Sequence, residues 1–508
     1  MFKNQPKGLF ALALANTGER FGYYTMLAVF VLFLKENFGL SEDQAGNIYA
    51  TFLAFVYFLP FIGGILADKF GYGRMVTIGI VTMFSGYLLM AWPLGTDNIA
   101  LYAMYGALVL ISIGTGLFKG NLQVMVGNLY DDPKYANKRD AAFSLFYMAI
   151  NLGSLFAPSA ASAMRTYALE AGWATTPGEA YHFAFAVACI SLIFSILVYA
   201  FTRKTFKHVE NGTPKVKTGE TTVVEENPKD TKARIVALCL VFAVVIFFWM
   251  AFHQNGLTLT FFAEQFTNLQ TNAGVQSMLF NVWNLVLIII AVYAGFSIFQ
   301  SENKKSKVIS SIVVLASIAI LCVSYFKGSD ARAITAEMFQ QFNPFYVVAL
   351  TPVSMALFGW LASKGKEPSA PRKIALGMLV AALGFVVIAV ASIGLNTPDV
   401  QKSAMVGAKT LVSSNWLIST YLVLTFAELL LSPMGISFVS KVAPAKYKGM
   451  MMGGWFVATA IGNYLTKIGS KFWGDMPLWG VWTIFIACCL LSAIFMFSVM
   501  KKLEKVTK

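Results

Sequence analysis

Charged residues are scarce in this chain. Asp, Glu, Lys and Arg make up 13% of its 508 residues, against 57% hydrophobic residues. That scarcity excludes a soluble globular protein of this length, which would need far more polar surface. Cysteine is scarce too. Cys189, Cys239, Cys322, Cys488 and Cys489 all lie in apolar runs, with neither a disulfide framework nor metal-ligand spacing. Buried, inert thiols are the expectation. Of the three histidines, His182 and His208 fall near span or loop edges. The short alternating segments of a membrane β-barrel are missing as well.

What the chain does contain is long apolar stretches. Its mean hydropathy is +0.65. Runs of roughly 20 apolar residues, the length that crosses a hydrocarbon core of about 30 Å, recur along it. The first half predicts six spans, near 9–34, 45–66, 75–92, 99–129, 141–164 and 182–201. The second predicts eight, near 235–262, 275–298, 308–325, 345–361, 374–393, 416–439, 450–465 and 478–500. Between them lies a polar, charged segment containing Gly and Pro, which reads as a linker. The fold class is therefore an all-α polytopic membrane protein with about 14 spans. The expected division is a six-helix bundle over 1–203, a cytoplasmic linker over 204–233, and a second bundle over 234–508. That second bundle includes an extra helix pair near 275–327.

The net charge is +14. Lys3, Lys7, Lys69, Arg74, Lys134, Lys138, Arg139 and later basic clusters fall on alternate loops, as the positive-inside rule requires. The excess thus reports topology, with both termini cytoplasmic, and argues against nucleic acid as a partner. No small-residue cleavage site follows "MFKNQPKG", so the first run reads as a retained helix.

Ionisable residues inside apolar spans are costly and mark candidate functional positions. Glu19 and Arg20 lie in the first span, Lys119 in the fourth, His253 in the seventh and Glu428 in the third span from the end. A structural ion pair is the competing reading for Glu19–Arg20. Taken together, two cations and two carboxylates balance. If the two halves face each other, they form a bipolar site suited to a zwitterion such as an amino acid or a short peptide. Asn16, Glu19 and Arg20, at i, i+3 and i+4, share one helix face. His253, in "FFWMAFHQNGLTLTFF", carries an imidazole that titrates near neutral pH when unperturbed. The alternative there is a neutral, hydrogen-bonded core histidine. Tyr23, Tyr24 and Tyr57 bring phenolic hydroxyls into spans, where each needs a partner or a wet cavity. Pro158, Pro344, Pro352, Pro433 and Gly435 can bend helices and free carbonyls. A membrane enzyme has little support: the best acidic pair, Asp131–Asp132, falls in a loop. A receptor would need more than this linker to signal with.

Several stretches resemble the proton-dependent oligopeptide transporter family of the major facilitator superfamily. "GGILADKFGYGR" (63–74) resembles the superfamily's loop between helices two and three. "ERFGYY" (19–24), "GTGLFKGN" (114–121), "FYMAINLGS" (146–154), "QQFNPFYVVALTP" (340–352) and "AELLLSPMG" (427–435) resemble the family's first, fourth, fifth, eighth and tenth helices, in order. The resemblance implies the major facilitator fold, two six-helix bundles plus an extra pair, and import of di- and tripeptides with protons by alternating access. It implies proton coupling at Glu19, Arg20, Lys119 and His253. It implies substrate contacts at Tyr24, Tyr57, Lys119, Asn151, His253, Gln254, Asn343, Glu428 and Ser432. Gly64, Asp68, Gly71 and Arg74 would serve gating. It implies protons as coupling ion without another cofactor, and a monomer in a bacterial inner membrane, surrounded by lipid.

The chain also departs from the family pattern. Asn16 stands where the family has an acid, Leu27 where it has an arginine, and His253 where it often has an acid. These departures leave two alternatives: another small solute, such as an amino-acid derivative, or weakened proton coupling.

Overall fold

The computed structural model describes residues 5–135, 139–211, 228–328, 330–405, 408–444 and 447–507. Lys3, Lys138 and residues 212–227 of the expected linker lie outside the described residues. The first half forms α1 (Lys7–Phe38), α2 (Glu42–Phe70), α3 (Tyr72–Ala91), α4 (Asn98–Asn128), α5 (Arg139–Glu170) and α6 (Pro177–Thr202). The second forms α7 (Pro228–Phe252), α8 (Thr258–Phe266), α9 (Val275–Leu279), α10 (Val282–Gln300), α11 (Lys304–Gly328) and α12 (Phe342–Ser363). It continues with α13 (Ala370–Ala391), α14 (Pro398–Ser403), α15 (Asn415–Val442), α16 (Lys448–Leu465), α17 (Lys467–Lys471) and α18 (Leu478–Thr507).

Twelve helical segments among the described residues are long and apolar enough to cross a membrane. α1, diluted by Glu19 and Arg20, and the 18-residue α16 bring the long helices to the fourteen expected. Local chemistry ends them where the chain must turn. Ser41 and Gln44 form a reciprocal capping box at the start of α2. The Asp97 carboxylate accepts the Ala100 amide at the start of α4. Gly39 closes α1 in the left-handed conformation.

Two expected spans are broken. The run near 235–262 is α7, a 3₁₀ turn at His253–Gly256, and α8. The run near 275–298 stops after α9 and restarts at Asn281, whose side chain caps α10 by accepting the Trp283 amide. At the second break the side chain of Asn281 competes with the helix for backbone partners. Of the cysteines, all five are free, and Cys239 and Cys322 are exposed on helix faces rather than buried.

The chain resolves into two compact units, 1–253 with 436–471 and 501–508, and 254–435 with 472–500. In the first, α1 packs on α5 and α6, α4 on α2 and α3, and α16 on α2 and α7. Small residues permit these close approaches, as membrane helix pairs require. A Cβ on Gly63 would sit 2.1 Å from the Gly116 carbonyl oxygen, so α2 and α4 touch backbone to backbone there. Ser191 and Ser195 of α6 donate to the Gly18 and Ala15 carbonyls of α1, clamping the turn that carries Glu19. In the second unit, α10 and α11 form a hairpin, stitched by Asn284–Ser324 and Ser297–Ser310 hydrogen bonds.

Candidate functional site

In the first unit the chemistry gathers on four helices. Arg20 and Glu19 form a two-pronged ion pair, with Nε to Oε2 and Nη2 to Oε1 each at 2.5 Å. Both residues are buried, and the guanidinium lies 4.6 Å from the Tyr23 ring centroid. The fork geometry satisfies both carboxylate oxygens at once. Asn16, one turn earlier, is buried, and its amide nitrogen has no hydrogen-bond partner among the described residues. An acid at that position would have competed for Arg20. The neutral amide leaves Glu19 its sole carboxylate partner among the described residues.

Lys119 of α4 is placed differently. Its ammonium lies 4.1 Å from the Tyr57 ring centroid on α2, and within Coulombic reach of Glu19 and Arg20. No carboxylate among the described residues reaches ion-pair distance of it. A cation over a tyrosine face is held by about 0.5–2 kcal/mol, much less than a charged partner could supply. The Tyr57 ring also meets His253, at 6.0 Å between centroids and edge to face. His253 in turn stacks on Trp249, one turn back along α7, at 5.3 Å and 25°. Lys119, Tyr57, His253 and Trp249 thus form a continuous row. His253 Nε2 and Trp249 Nε1 have no hydrogen-bond partner among the described residues. Sequence reasoning missed Trp249; its only signal was the i, i+4 spacing to His253.

In the second unit, Glu428 of α15 is a half-buried acid. Asn343, at the start of α12, donates its amide to Glu428 Oε2 at 2.9 Å and to Thr425 Oγ1 at 3.1 Å. Ser432, one turn on from Glu428, has a buried hydroxyl with no partner among the described residues. The three positions expected together, Asn343, Glu428 and Ser432, fall within one stretch of α12 and α15. Thr425, not singled out from sequence, is the residue that orients Asn343.

The sequence profile of the POT family matches residues 74–224 and 327–478. The chain belongs to the POT family, whose members are peptide transporters, and is a multi-pass integral membrane protein. It is 29% identical over 503 residues to the uncharacterized transporter YclF of Bacillus subtilis, covering 94% of this chain and 90% of that one. It is 26% identical over 486 residues to dipeptide and tripeptide permease A of Salmonella typhi, covering 91% and 84%. Among solved structures, a POT family transporter in complex with 5-aminolevulinic acid shares the fold at a TM-score of 0.74. That alignment covers 100% of this chain and 98% of the neighbour at 20% identity.

The other positions expected of a POT member are distributed as follows. Tyr24 lies against Tyr23, edge to face at 5.2 Å. Asn151 turns its amide onto the Tyr147 carbonyl of its own helix at 3.0 Å. Gln254 is buried in the second unit and accepts the Thr258 hydroxyl at 2.7 Å. At the α2–α3 corner, Asp68 accepts the Tyr72 hydroxyl at 2.5 Å, and Gly71 has φ +92°, a conformation that favours glycine. Arg74 is exposed there. Gly64 has open space beside it; the close helix crossing belongs to its neighbour Gly63.

Proposed function

We propose that this chain is a secondary symporter that imports di- and tripeptides together with protons by alternating access between bundles at 1–203 and 234–508. It works as a monomer in a bacterial inner membrane with both termini cytoplasmic. The observation that carries the reading is the contrast between two neighbouring cations. Arg20 is closed by Glu19, whereas Lys119 has, among the described residues, an aromatic face and no carboxylate at ion-pair distance. Lys119 is therefore the cation placed to receive a substrate carboxylate. Glu428, positioned by Asn343, is the carboxylate placed to receive a substrate ammonium. The Salmonella relative named for dipeptides and tripeptides supports the same class of cargo.

Proton coupling runs through His253. Lys119 and His253 both contact Tyr57, so their charges would lie no more than about 10 Å apart. Two cations at that separation repel by about 1–2 kcal/mol at an effective dielectric constant near 20. A carboxylate seated on Lys119 cancels that repulsion. Substrate and proton then favour one another, and the coupling is reciprocal, as linkage demands.

A second reading is the same transport of a non-peptide solute such as an amino-acid derivative. It is favoured by Leu27, buried and neutral where the family has an arginine, and by the 5-aminolevulinic acid held by the structural neighbour. Uptake of labelled dialanine into proteoliposomes, with and without an inward proton gradient, separates these readings. Concentrative uptake under the gradient is expected. Uptake that only equilibrates would remove the coupling, and none would favour the other solute.

A further inference from the structure

In the second unit, Arg332 is fixed at one end of the α10–α11 hairpin. Its backbone amide donates to Thr271 Oγ1 at 3.1 Å, and its carbonyl accepts the Thr271 amide at 3.0 Å. Its Nη2 donates to the Ser277 carbonyl of α9 at 3.0 Å. The next residue of α9, Met278, accepts Asn284 Nδ2 on its carbonyl at 3.1 Å, and Asn284 also donates to Ser324 Oγ at 3.1 Å. Thus α9, the start of α10 and the end of α11 form one node. Gly274, just before α9, lies against Tyr325 of α11: a Cβ there would be 3.3 Å from the ring.

The guanidinium held there is underused. An arginine side chain carries five N–H donors and stays charged. Among the described residues, the Ser277 carbonyl is the one acceptor that the Arg332 side chain meets, and no carboxylate reaches ion-pair distance of it. Nε is buried and has no partner among the described residues. Burial draws the pKa of this half-buried group down from the usual arginine value, and no nearby charge opposes that. Both N–H groups of Nη1 and the second of Nη2 remain. They form a fork that matches two oxygens of an anion.

The surroundings decide which anion. Ile309, Ile312, Leu315, Ile318 and Ile320 of α11 are all exposed. At about 100° per residue they cover more than half of the helix circumference. In an integral membrane protein, a helix exposing so wide an apolar face meets hydrocarbon. Where that face ends, Trp283 in the first turn of α10 is 66% exposed and Tyr325 in the last turn of α11 is 44% exposed. Tryptophan and tyrosine at the ends of spans mark the headgroup level. Arg332, tied to both helix ends, is held at that level. We propose that the Arg332 guanidinium binds the phosphate of a membrane phospholipid whose acyl chains run along the α10–α11 hairpin. A solute carboxylate reaches this place only from dilute solution, whereas a bilayer presents phosphate there continuously.

The test compares, by native mass spectrometry of the full chain, retention of phosphatidylglycerol with that of a diacylglycerol bearing the same acyl chains and no phosphate. Phosphatidylglycerol is expected to be retained at least about fivefold better, the effect of one basic residue at a lipid surface. In liposomes, phosphatidylglycerol with a photoreactive headgroup should label peptides from 277–283 and 325–334. Arg332→Gln should remove that labelling and the retention difference together. Arg332→Lys, which keeps the charge and loses the fork, should keep part of both. Lys305→Gln, at the opposite end of α11, should leave both unchanged. Equal retention of the two lipids by the unsubstituted chain overturns the proposal, whatever the variants do. So does a preference that survives Arg332→Gln, or one lost equally in Lys305→Gln, which would make the attraction a general one. Displacement of the lipid by an equal concentration of inorganic phosphate would give the fork to a free anion, and displacement by dialanine would give it to the solute. Either result overturns the proposal.

Discussion

The Lys119 ammonium lies 4.1 Å from the centre of the Tyr57 ring. A lysine in a span needs an anion or a wet surface, and here it has an aromatic face. The arrangement stores a cation without neutralising it, leaving most of its electrostatic attraction for an incoming group. Lys119→Gln is expected to weaken binding of peptides with a free carboxylate by at least about tenfold, the loss of one charge-assisted hydrogen bond. Peptides amidated at the C-terminus should be insensitive to the substitution. Competition of labelled dialanine by each ligand in proteoliposomes measures both. Tyr57→Phe keeps the face and should bind nearly as the unsubstituted chain does.

Glu19 and Arg20 should behave as a unit. Arg20→Ala strands a buried carboxylate and is expected to cost about 3–5 kcal/mol of stability. Glu19→Gln with Arg20→Met removes both charges and should cost much less than the single change. Melting temperatures of the purified chain in one detergent, taken as a double-mutant cycle, give the coupling directly. Additive effects would show that the pair is not mutually stabilising.

Much of this site was legible because charge inside an apolar run is conspicuous. Glu19, Arg20, Lys119 and Glu428 stood out by their cost alone, and the motif around each suggested its role. The expected spans match the long helices because apolar length is a local property. The misses are tertiary or involve local competition for the backbone. Gly64 was singled out, yet the backbone contact with α4 is at Gly63, and only the crossing of the two helices decides which glycine it needs. Trp249 looked like one more apolar aromatic until its ring was seen against His253. The break at His253–Gly256 had a local signal in Asn255-Gly256, but it was outweighed by the apolar residues on both sides.

In the second unit, Asn343 holds one Glu428 oxygen at 2.9 Å and is itself turned by Thr425. Glu428→Gln retains the shape and loses the charge. It is expected to weaken uptake of peptides with a free amino terminus by at least about tenfold and to leave N-acetylated peptides unaffected. Asn343→Ala should have the smaller effect, of about 1 kcal/mol, because the acid remains but is no longer oriented. Equal sensitivity of free and acetylated peptides would remove Glu428 from the substrate's amino end.

His253 stands where α7 stops and a 3₁₀ turn begins, between the rings of Trp249 and Tyr57. A group at a helix break can change its surroundings when the flanking segments move, which a proton carrier must do. A proton taken up from the outer side is loaded more readily as the external pH falls. Initial rates of dialanine uptake should therefore rise as external pH is lowered from about 8 to about 6 at constant internal pH. His253→Gln should flatten that profile and abolish concentrative uptake. It should spare exchange of labelled for unlabelled dipeptide, which moves no net proton. His253→Glu, which restores an ionisable group at the same position, should recover a pH-dependent rate. A His253→Gln chain that still concentrates dialanine with the same pH profile would move the coupling to another group, and Lys119 would be the first to examine.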